Sequence, residues 1–201
     1  MTSDRYSKSS DQPPEARKRM LRADAQRNRD AVVRTAIDMF QKQGVETPLE
    51  DIAKAAKVGI ATLYRHFPSR EALLAAALEL KDRVLLESAA HVRAMDDPRL
   101  ALSTWLRALQ EYLTTFGGLQ SPILSAVDEP SSPLAITCDC LLSITRDLLL
   151  AAQARGMVRK DVSAKQLFQC ALGLSWAFAK TCSDEQTRSG VMHILECGYL
   201  A

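Results

Sequence analysis

Val58-Gly59-Ile60-Ala61-Thr62-Leu63-Tyr64-Arg65-His66-Phe67-Pro68-Ser69-Arg70 carries the strongest structural signal in this chain. The stretch predicts a tight turn, a short helix and the start of a new helix. Leu63 and Phe67 lie four residues apart, so one face of the short helix suits a core. The other side chains point away from that face. Because so short a helix cannot stabilise itself, its neighbours must hold it. A short, supported helix that presents hydrogen-bond donors is typical of one that enters the major groove of DNA.

The residues upstream predict two companion helices. Thr47-Pro48-Leu49-Glu50 is a capping box in which Thr47 caps the helix and Pro48 takes its first position. This helix covers residues 49–56, and Lys57-Val58-Gly59 forms the turn of a helix-turn-helix arrangement. A longer helix before it carries apolar residues on one face and ends at Gly44, which suits a left-handed cap.

Residues 24–78 resemble the DNA-binding domain of TetR-family transcriptional regulators. The resemblance rests on Phe40, Gly44 and Thr47, and on the segments Leu49-Glu50-Asp51-Ile52-Ala53, Val58-Gly59, Thr62-Leu63-Tyr64, His66-Phe67 and Arg70-Glu71-Ala72-Leu73. It covers roughly the first third of the chain. It implies an all-α homodimer that binds an operator in double-stranded DNA and releases it when a small molecule occupies the C-terminal domain.

We therefore predict an all-α fold of about nine helices in three segments. Residues 1–20 form a disordered basic arm, residues 21–68 a three-helix helix-turn-helix head, and residues 69–201 a helical domain for ligand binding and dimerisation. The arm ends in a basic cluster that is either a solvated tail or a segment that follows the DNA backbone or enters the minor groove. The cluster consists of Arg17, Lys18, Arg19 and Arg22.

The resemblance assigns two sets of DNA contacts. The sugar-phosphate backbone is held by side chains that set the register without reading sequence: Thr47, Thr62, Tyr64, His66 and Arg70. Ile60, Ala61 and Arg65 lie where bases are read, with Arg65 suited to a guanine edge and the two apolar residues to a thymine methyl. Pro48 stands where some relatives have a longer polar side chain, so readout depends more on Arg65 and the arm.

Charge and composition agree with this assignment and exclude other classes. The net charge is +2, but residues 1–70 hold 14 Lys and Arg against 9 Asp and Glu, so the basic half is the one with the helix-turn-helix. No apolar run is long enough to span a membrane and no secretory segment opens the chain, which predicts a cytoplasmic protein. The chain shows no nucleophile–base, paired-carboxylate or metal motif, so we expect no enzyme activity, cofactor or metal.

The C-terminal two thirds predicts further helices but no specific ligand. Ser69, Asp161 and Ser183 are candidate caps. The helix over residues 162–180 is apolar on two faces, which indicates that a second copy covers one of them and that the homodimer forms through residues 162–200. Candidate ligand contacts, which are equally consistent with core packing, are Trp105, Tyr112, Phe116, Cys138 and Trp176.

The five cysteines show no C-x-x-C pair and predict free, buried thiols; a redox sensor is the alternative. They are Cys138, Cys140, Cys170, Cys182 and Cys197.

The favoured function is a sequence-specific repressor that a small molecule releases from a palindromic operator. The alternative is a dimeric adaptor or activator without a small-molecule inducer. The sequence does not name the operator, the effector or the regulated genes.

Overall fold

The computed structural model describes residues 14–181 and 184–201, and these residues are mostly helical. Within them lie nine α-helices: α1 (Pro14–Gln43), α2 (Leu49–Ala55), α3 (Ile60–His66), α4 (Arg70–Arg93), α5 (Pro98–Leu113), α6 (Gln120–Ala126), α7 (Ala135–Ala154), α8 (Ala164–Thr181) and α9 (Glu185–Tyr199). An isolated antiparallel bridge joins Val158 to Leu200. The predicted all-α fold is confirmed.

The first three helices form a small head with a common core. Phe40 of α1, Ile52 of α2 and Leu63 of α3 are fully buried, and Phe67, which follows α3, is buried with them. Helices α2 and α3 have seven residues each, which is too short for stability in isolation. Burial of this apolar surface is therefore what holds α3 in place.

Helix α4 connects the head to the body. Ser69 is its predicted cap, and its hydroxyl accepts a hydrogen bond from the backbone N–H of Ala72 at 3.1 Å. Leu73 and Leu78 are buried as expected. Further along α4, Leu85 is buried and forms the core side, whereas its neighbour Val84 is exposed.

Helix α5 lies at the centre of the body and packs against α4, α7 and α8. Its Trp105 is fully buried, and the indole Nε1 donates a hydrogen bond to Thr145 Oγ1 of α7 at 2.8 Å. The indole N–H is thus satisfied inside the core. Helix α5 begins at Pro98, and the Asp97 carboxylate caps it by accepting from two backbone N–H groups of the first turn.

Two predicted caps of the last helices are not the ones that the structure uses. The Asp161 carboxylate pairs with Arg159 instead, at 2.6 Å between Oδ2 and Nη2. Helix α8 begins later, where Ser163 and Gln166 form a reciprocal capping box. Asp184 caps α9 by accepting from the N–H of Thr187 at 2.7 Å. Ser183, our candidate, lies outside the described residues.

The two apolar faces of α8 are both covered within one chain. Side chains of both faces are buried: Leu167, Ala171 and Phe178 on one, and Phe168, Leu172 and Ser175 on the other. Helix α8 packs against α5, α6 and α7, and these neighbours supply the two partners. The two apolar faces of α8 are thus explained within one chain and are no evidence for a second copy, and the dimer interface through residues 162–200 stays a prediction.

Most of the described cysteines are exposed, although we predicted buried thiols. Cys138 is buried, but Cys140, Cys170 and Cys197 are exposed free thiols. The apolar environment of Cys138 disfavours the thiolate, and this desolvation raises the pKa of its thiol to about 11. Cys182 lies outside the described residues.

The predicted arm is partly helical, because α1 already begins at Pro14. Residues 14–20 therefore extend the first helix, and residues 1–13 lie outside the described part of the chain. In that described part, no helix combines the length and the apolar character needed to cross a membrane.

Candidate nucleic-acid interface

The turn between α2 and α3 is fixed by backbone hydrogen bonds and one left-handed residue. The N–H of Val58 donates to the carbonyl of Ala53 at 3.0 Å, and that of Thr62 to the carbonyl of Gly59 at 2.9 Å. The left-handed residue is Lys57, with φ of 58°. Gly59 has an extended conformation with φ of −68°. The turn occurs where it was predicted, but its glycine is not the residue that reverses the chain.

Helix α3 presents one face to the core and the other to solvent, as the sequence predicts. Leu63 and Phe67 anchor the inner face. On the outer side, 38% of Ile60 and 43% of Tyr64 is exposed. The remaining predicted contacts are exposed or half-buried along the flanks: Ala61 and Arg65 are exposed, and Thr62 and His66 are half-buried. These six side chains, Ile60, Ala61, Thr62, Tyr64, Arg65 and His66, are called the α3 face below.

Thr47 does not cap α2. Only 3% of Thr47 is exposed, and its hydroxyl donates to the carbonyl of Gly44 at 2.7 Å. Helix α2 has no side-chain cap, and Pro48 occupies its N-cap position rather than its first helical position. The cap prediction was wrong because Pro48, one residue later, takes the N-cap position, and the Thr47 hydroxyl lies instead against the carbonyl of Gly44 at the end of α1. Pro48 itself is exposed beside the head.

Arg70 links the start of α4 to the loop between α1 and α2. Its Nη1 donates to the carbonyl of Val45 at 2.6 Å and to that of Thr47 at 2.5 Å. Charge-assisted hydrogen bonds of this kind are the stronger ones. The contacts of Arg70 are therefore structural, and its predicted phosphate contact stays a prediction.

The head and the body meet at a close backbone contact. The N–H of Val45 donates to the carbonyl of Gly117 at 2.8 Å, and the Phe40 and Phe116 rings pack edge to face with centroids 5.8 Å apart. Gly44 has φ of +87°, and a Cβ atom there would lie 2.8 Å from the Gly117 oxygen. We call this contact the Gly44–Gly117 junction. The sequence marked both glycines only as helix ends, because nothing local signals that they meet.

Basic residues lie along the N-terminal half of α1. Arg19 and Arg22 are exposed, and Arg27 contacts Asp24 within the helix. Arg29 lies over the Phe67 ring at 5.5 Å, which adds a cation–π contact to the anchor of α3. The side chains of Arg17 and Lys18 lie outside the described set.

Four of the five candidate ligand contacts belong to the core. Trp105, Phe116 and Cys138 are almost completely buried, and Tyr112 is 7% exposed. Trp176 differs, because 56% of it is exposed on α8. It lines an open groove of about 470 Å³ between the end of α1, the Gly117-Gly118 turn and α8, together with Lys42 and Lys180. Of the five candidate ligand contacts, only Trp176 thus lies on this groove, next to the Gly44–Gly117 junction.

A search of the described residues finds no group of three or more His, Cys, Asp or Glu side chains that could hold a metal ion. The candidate site is therefore the α3 face, on a two-turn helix that follows the turn at Lys57 and is held by the core of the head. Fold and site together define a helix-turn-helix DNA-binding protein.

Comparisons with known proteins agree with this class. Residues 32–77 match the family described as bacterial regulatory proteins, tetR family, and residues 97–199 match the C-terminal domain described as transcriptional regulator SbtR-like. The regulator TcmR of Streptomyces glaucescens is 35% identical over 97 residues, which are 48% of this chain and 41% of TcmR. The matched segment thus spans less than half of that relative.

Solved structures match over most of the chain. The TetR regulator SCO0520 of Streptomyces coelicolor has a TM-score of 0.56 and 28% identity, covering 86% of this chain and 98% of that one. A TetR regulatory protein of Mycobacterium vanbaalenii has a TM-score of 0.51 and 30% identity, covering 90% and 99%. The chain belongs to the TetR family of transcriptional regulators. Its relatives are regulators and not enzymes.

Proposed function

We propose that this protein is a dimeric, sequence-specific transcriptional repressor that binds a palindromic operator in the cytoplasm and leaves it when a small molecule binds the body. The observation that carries the proposal is the α3 face, which is exposed although the helix beneath it is anchored by Leu63 and Phe67. Ile60 is apolar but is not needed for the core of the head, because Leu63 and Phe67 already anchor the helix. In a DNA groove, its side chain would pack against a thymine methyl group.

Direct readout falls to the exposed residues of the α3 face. Arg65 has the donors for the O6 and N7 acceptors of guanine, and Ile60 and Ala61 suit a thymine methyl group. Thr62, Tyr64 and His66 lie on the flanks, where hydroxyl and ring N–H groups reach phosphate oxygens. Pro48 has no N–H and adds only apolar contact.

Thr47 and Arg70 support this surface from inside. Both use their donors on backbone carbonyls around the loop between α1 and α2. Arg70 ties the start of α4 to this loop, Thr47 fixes the loop itself, and α3 packs on the α2 helix that follows it. Their influence on DNA binding therefore comes through the position of the head, and a direct phosphate contact by Arg70 needs a donor other than the one already used.

We place the dimer interface on the outer faces of α8 and α9. Ile194 of α9 is 71% exposed, and it lines a groove of about 480 Å³ with Leu167 and Cys170 of α8. A two-fold dimer uses the same patch of both copies, so one apolar groove and one protruding residue suit each other. Two heads related in this way meet successive major grooves of a palindromic site.

A charge at Ile194 tests the interface. Ile194→Glu is expected to give a monomer in size-exclusion chromatography with light scattering. Ile136→Glu on α7 is the matched control, because Ile136 is still more exposed, at 83%, and lies outside the proposed surface. A dimer that survives Ile194→Glu, or that is lost equally in both variants, contradicts the interface.

Release by a small molecule requires that the ligand bind one head arrangement better than the other. The Gly44–Gly117 junction is the route that we propose, because it joins the loop before α2 to the turn after α5 by a direct hydrogen bond. The alternative, an activator or adaptor without an inducer, predicts DNA binding that no small molecule changes.

The test of the whole proposal is selection of binding sites from a random duplex library by the purified protein. The expected product is an inverted repeat whose half-sites lie about one helical turn apart, with binding that weakens steeply as salt rises. An enriched motif without inverted symmetry contradicts the dimeric readout. Failure to enrich any motif contradicts sequence-specific binding.

A further inference from the structure

The outer face of α9 carries a thiol and an imidazole that DNA binding does not use. His193 and Cys197 lie four residues apart, which places them on the same side of the helix. Both are exposed, whereas Met192 and Tyr199 are the residues that α9 buries. The Cys197 Sγ atom lies 3.6 Å from His193 Nε2. The thiol and the imidazole are thus in contact, and both are exposed to solvent.

This separation is the one that a tetrahedral metal ion requires. Zn²⁺ binds sulfur at about 2.3 Å and histidine nitrogen at about 2.0–2.1 Å, so the two donor atoms of a tetrahedral site lie roughly 3.6 Å apart. The distance between the two donor atoms therefore already matches that of a tetrahedral site, and rotation of the imidazole about its side-chain bonds aims the Nε2 lone pair at the ion. Thiolate and imidazole together favour zinc-like divalent cations over Mg²⁺ and Ca²⁺, which prefer oxygen.

A carboxylate lies near the His193 ring. Its Nδ1 lies 4.0 Å from the Glu196 carboxylate, and that carboxylate is held by Arg107 of α5 at 2.8 Å. The 4.0 Å separation is longer than a hydrogen bond, so Glu196 adds a negative charge beside the pair and is not a ligand.

The sequence contains this signal as His193-x-x-x-Cys197, a mixed pair that neither C-x-x-C spacing nor histidine–carboxylate spacing reveals. Other described candidates are weaker. Cys138 is buried against the backbone of Ile123, and His66 belongs to the α3 face.

We propose that His193 Nε2 and Cys197 Sγ chelate one zinc-like divalent cation on each chain. The thiol proton is released to solvent as sulfur binds the ion, and two tetrahedral positions remain for water. Both ligands come from one chain, so the site needs neither DNA nor a residue of a second copy, although it lies on the helix that also carries Ile194 of the proposed dimer surface.

The experiment is a titration of the full, untagged chain with Co²⁺, which reports its ligands through absorption. We expect a thiolate-to-cobalt charge-transfer band that saturates at one Co²⁺ per chain and is displaced by Zn²⁺. Cys197→Ser and His193→Gln should each lose the band, while Cys140→Ser, which removes an exposed thiol on α7, should keep it. All three positions are exposed, and unchanged far-ultraviolet circular dichroism confirms that the variants fold.

A second readout uses alkylation followed by mass spectrometry of the peptides. Zn²⁺ is expected to protect Cys197 from an alkylating reagent and to leave the reaction of Cys140 unchanged. No saturable band, a band that survives Cys197→Ser, or equal protection of both cysteines would overturn the proposal.

Discussion

Replacing Gly44 by alanine should destabilise the protein by far more than a surface substitution normally does. Gly44 has φ of +87°, where a side chain is strained, and the new Cβ would lie 2.8 Å from the backbone oxygen of Gly117. That oxygen is a backbone atom of the turn after α5, so rotation of a side chain cannot move it aside. It also accepts the hydrogen bond from the N–H of Val45 at 2.8 Å, so a shift that relieves the clash weakens that bond.

The magnitude follows from two contributions. The left-handed backbone costs an L-residue about 1–2 kcal/mol. Loss of a buried hydrogen bond with its donor left unsatisfied costs about 1–3 kcal/mol more. We therefore expect Gly44→Ala to lower the free energy of unfolding by about 2–5 kcal/mol, or Tm by roughly 5–15 °C for a chain of this size.

Gly156→Ala separates the two contributions. Gly156 also has a positive φ, of +70°, but a Cβ atom there meets nothing within 4 Å. It should show only the backbone cost of about 1–2 kcal/mol. Urea unfolding followed by circular dichroism measures both variants. If Gly44→Ala is no more destabilised than Gly156→Ala, the contact between head and body does not stabilise the molecule and the reasoning is wrong.

Three further predictions concern other contacts. Ser69→Ala should lower the free energy of unfolding by about 0.5–2 kcal/mol, because it removes the cap of α4, whereas Ser69→Asp should keep most of it; chemical denaturation measures both. Arg70→Lys should destabilise the head, because a single ammonium cannot reproduce the guanidinium geometry. In hydrogen exchange, the variant should open α2 and α3 faster than the wild-type protein does, and the exchange of α7 should change less. The free energy of unfolding should fall as pH rises from about 9 towards about 11, because the folded state keeps the Cys138 thiol proton in a range where the unfolded chain has lost it. Cys138→Ala should reduce this fall. Denaturant midpoints measured across that pH range test both statements.

Periodicity and local capping predicted much of the head. Leu63 and Phe67 face the core because four-residue spacing fixes their side of the helix. Ser69 caps α4 because the N–H donor that its hydroxyl accepts from, that of Ala72, lies three residues away. Such local rules need no knowledge of the rest of the chain. The outward orientation of Tyr64 and Arg65 follows from the same geometry.

Contacts between distant parts of the chain were not predictable in this way. The carbonyls that hold Arg70 lie 23 and 25 residues before it, and Gly117 lies more than seventy residues after Gly44. The Thr47 hydroxyl is a local exception, because the Gly44 carbonyl to which it donates is as near in sequence as the N–H groups of α2 that it was predicted to cap. The two faces of α8 were misjudged for a related reason, since periodicity shows that a face is buried but not what covers it.

The central claim is that Arg65 reads a base from a helix that enters the major groove. Its most direct test is the affinity of Arg65→Ala for the selected operator and for operators with each base pair changed in turn, measured by fluorescence anisotropy. Arg146→Ala on α7 removes an equal charge from an exposed position far along the chain and serves as the control. We predict that Arg65→Ala loses about 1–3 kcal/mol of discrimination at one symmetric base-pair position and keeps its non-specific binding. Unchanged discrimination at every position, with the wild-type affinity, would contradict the account.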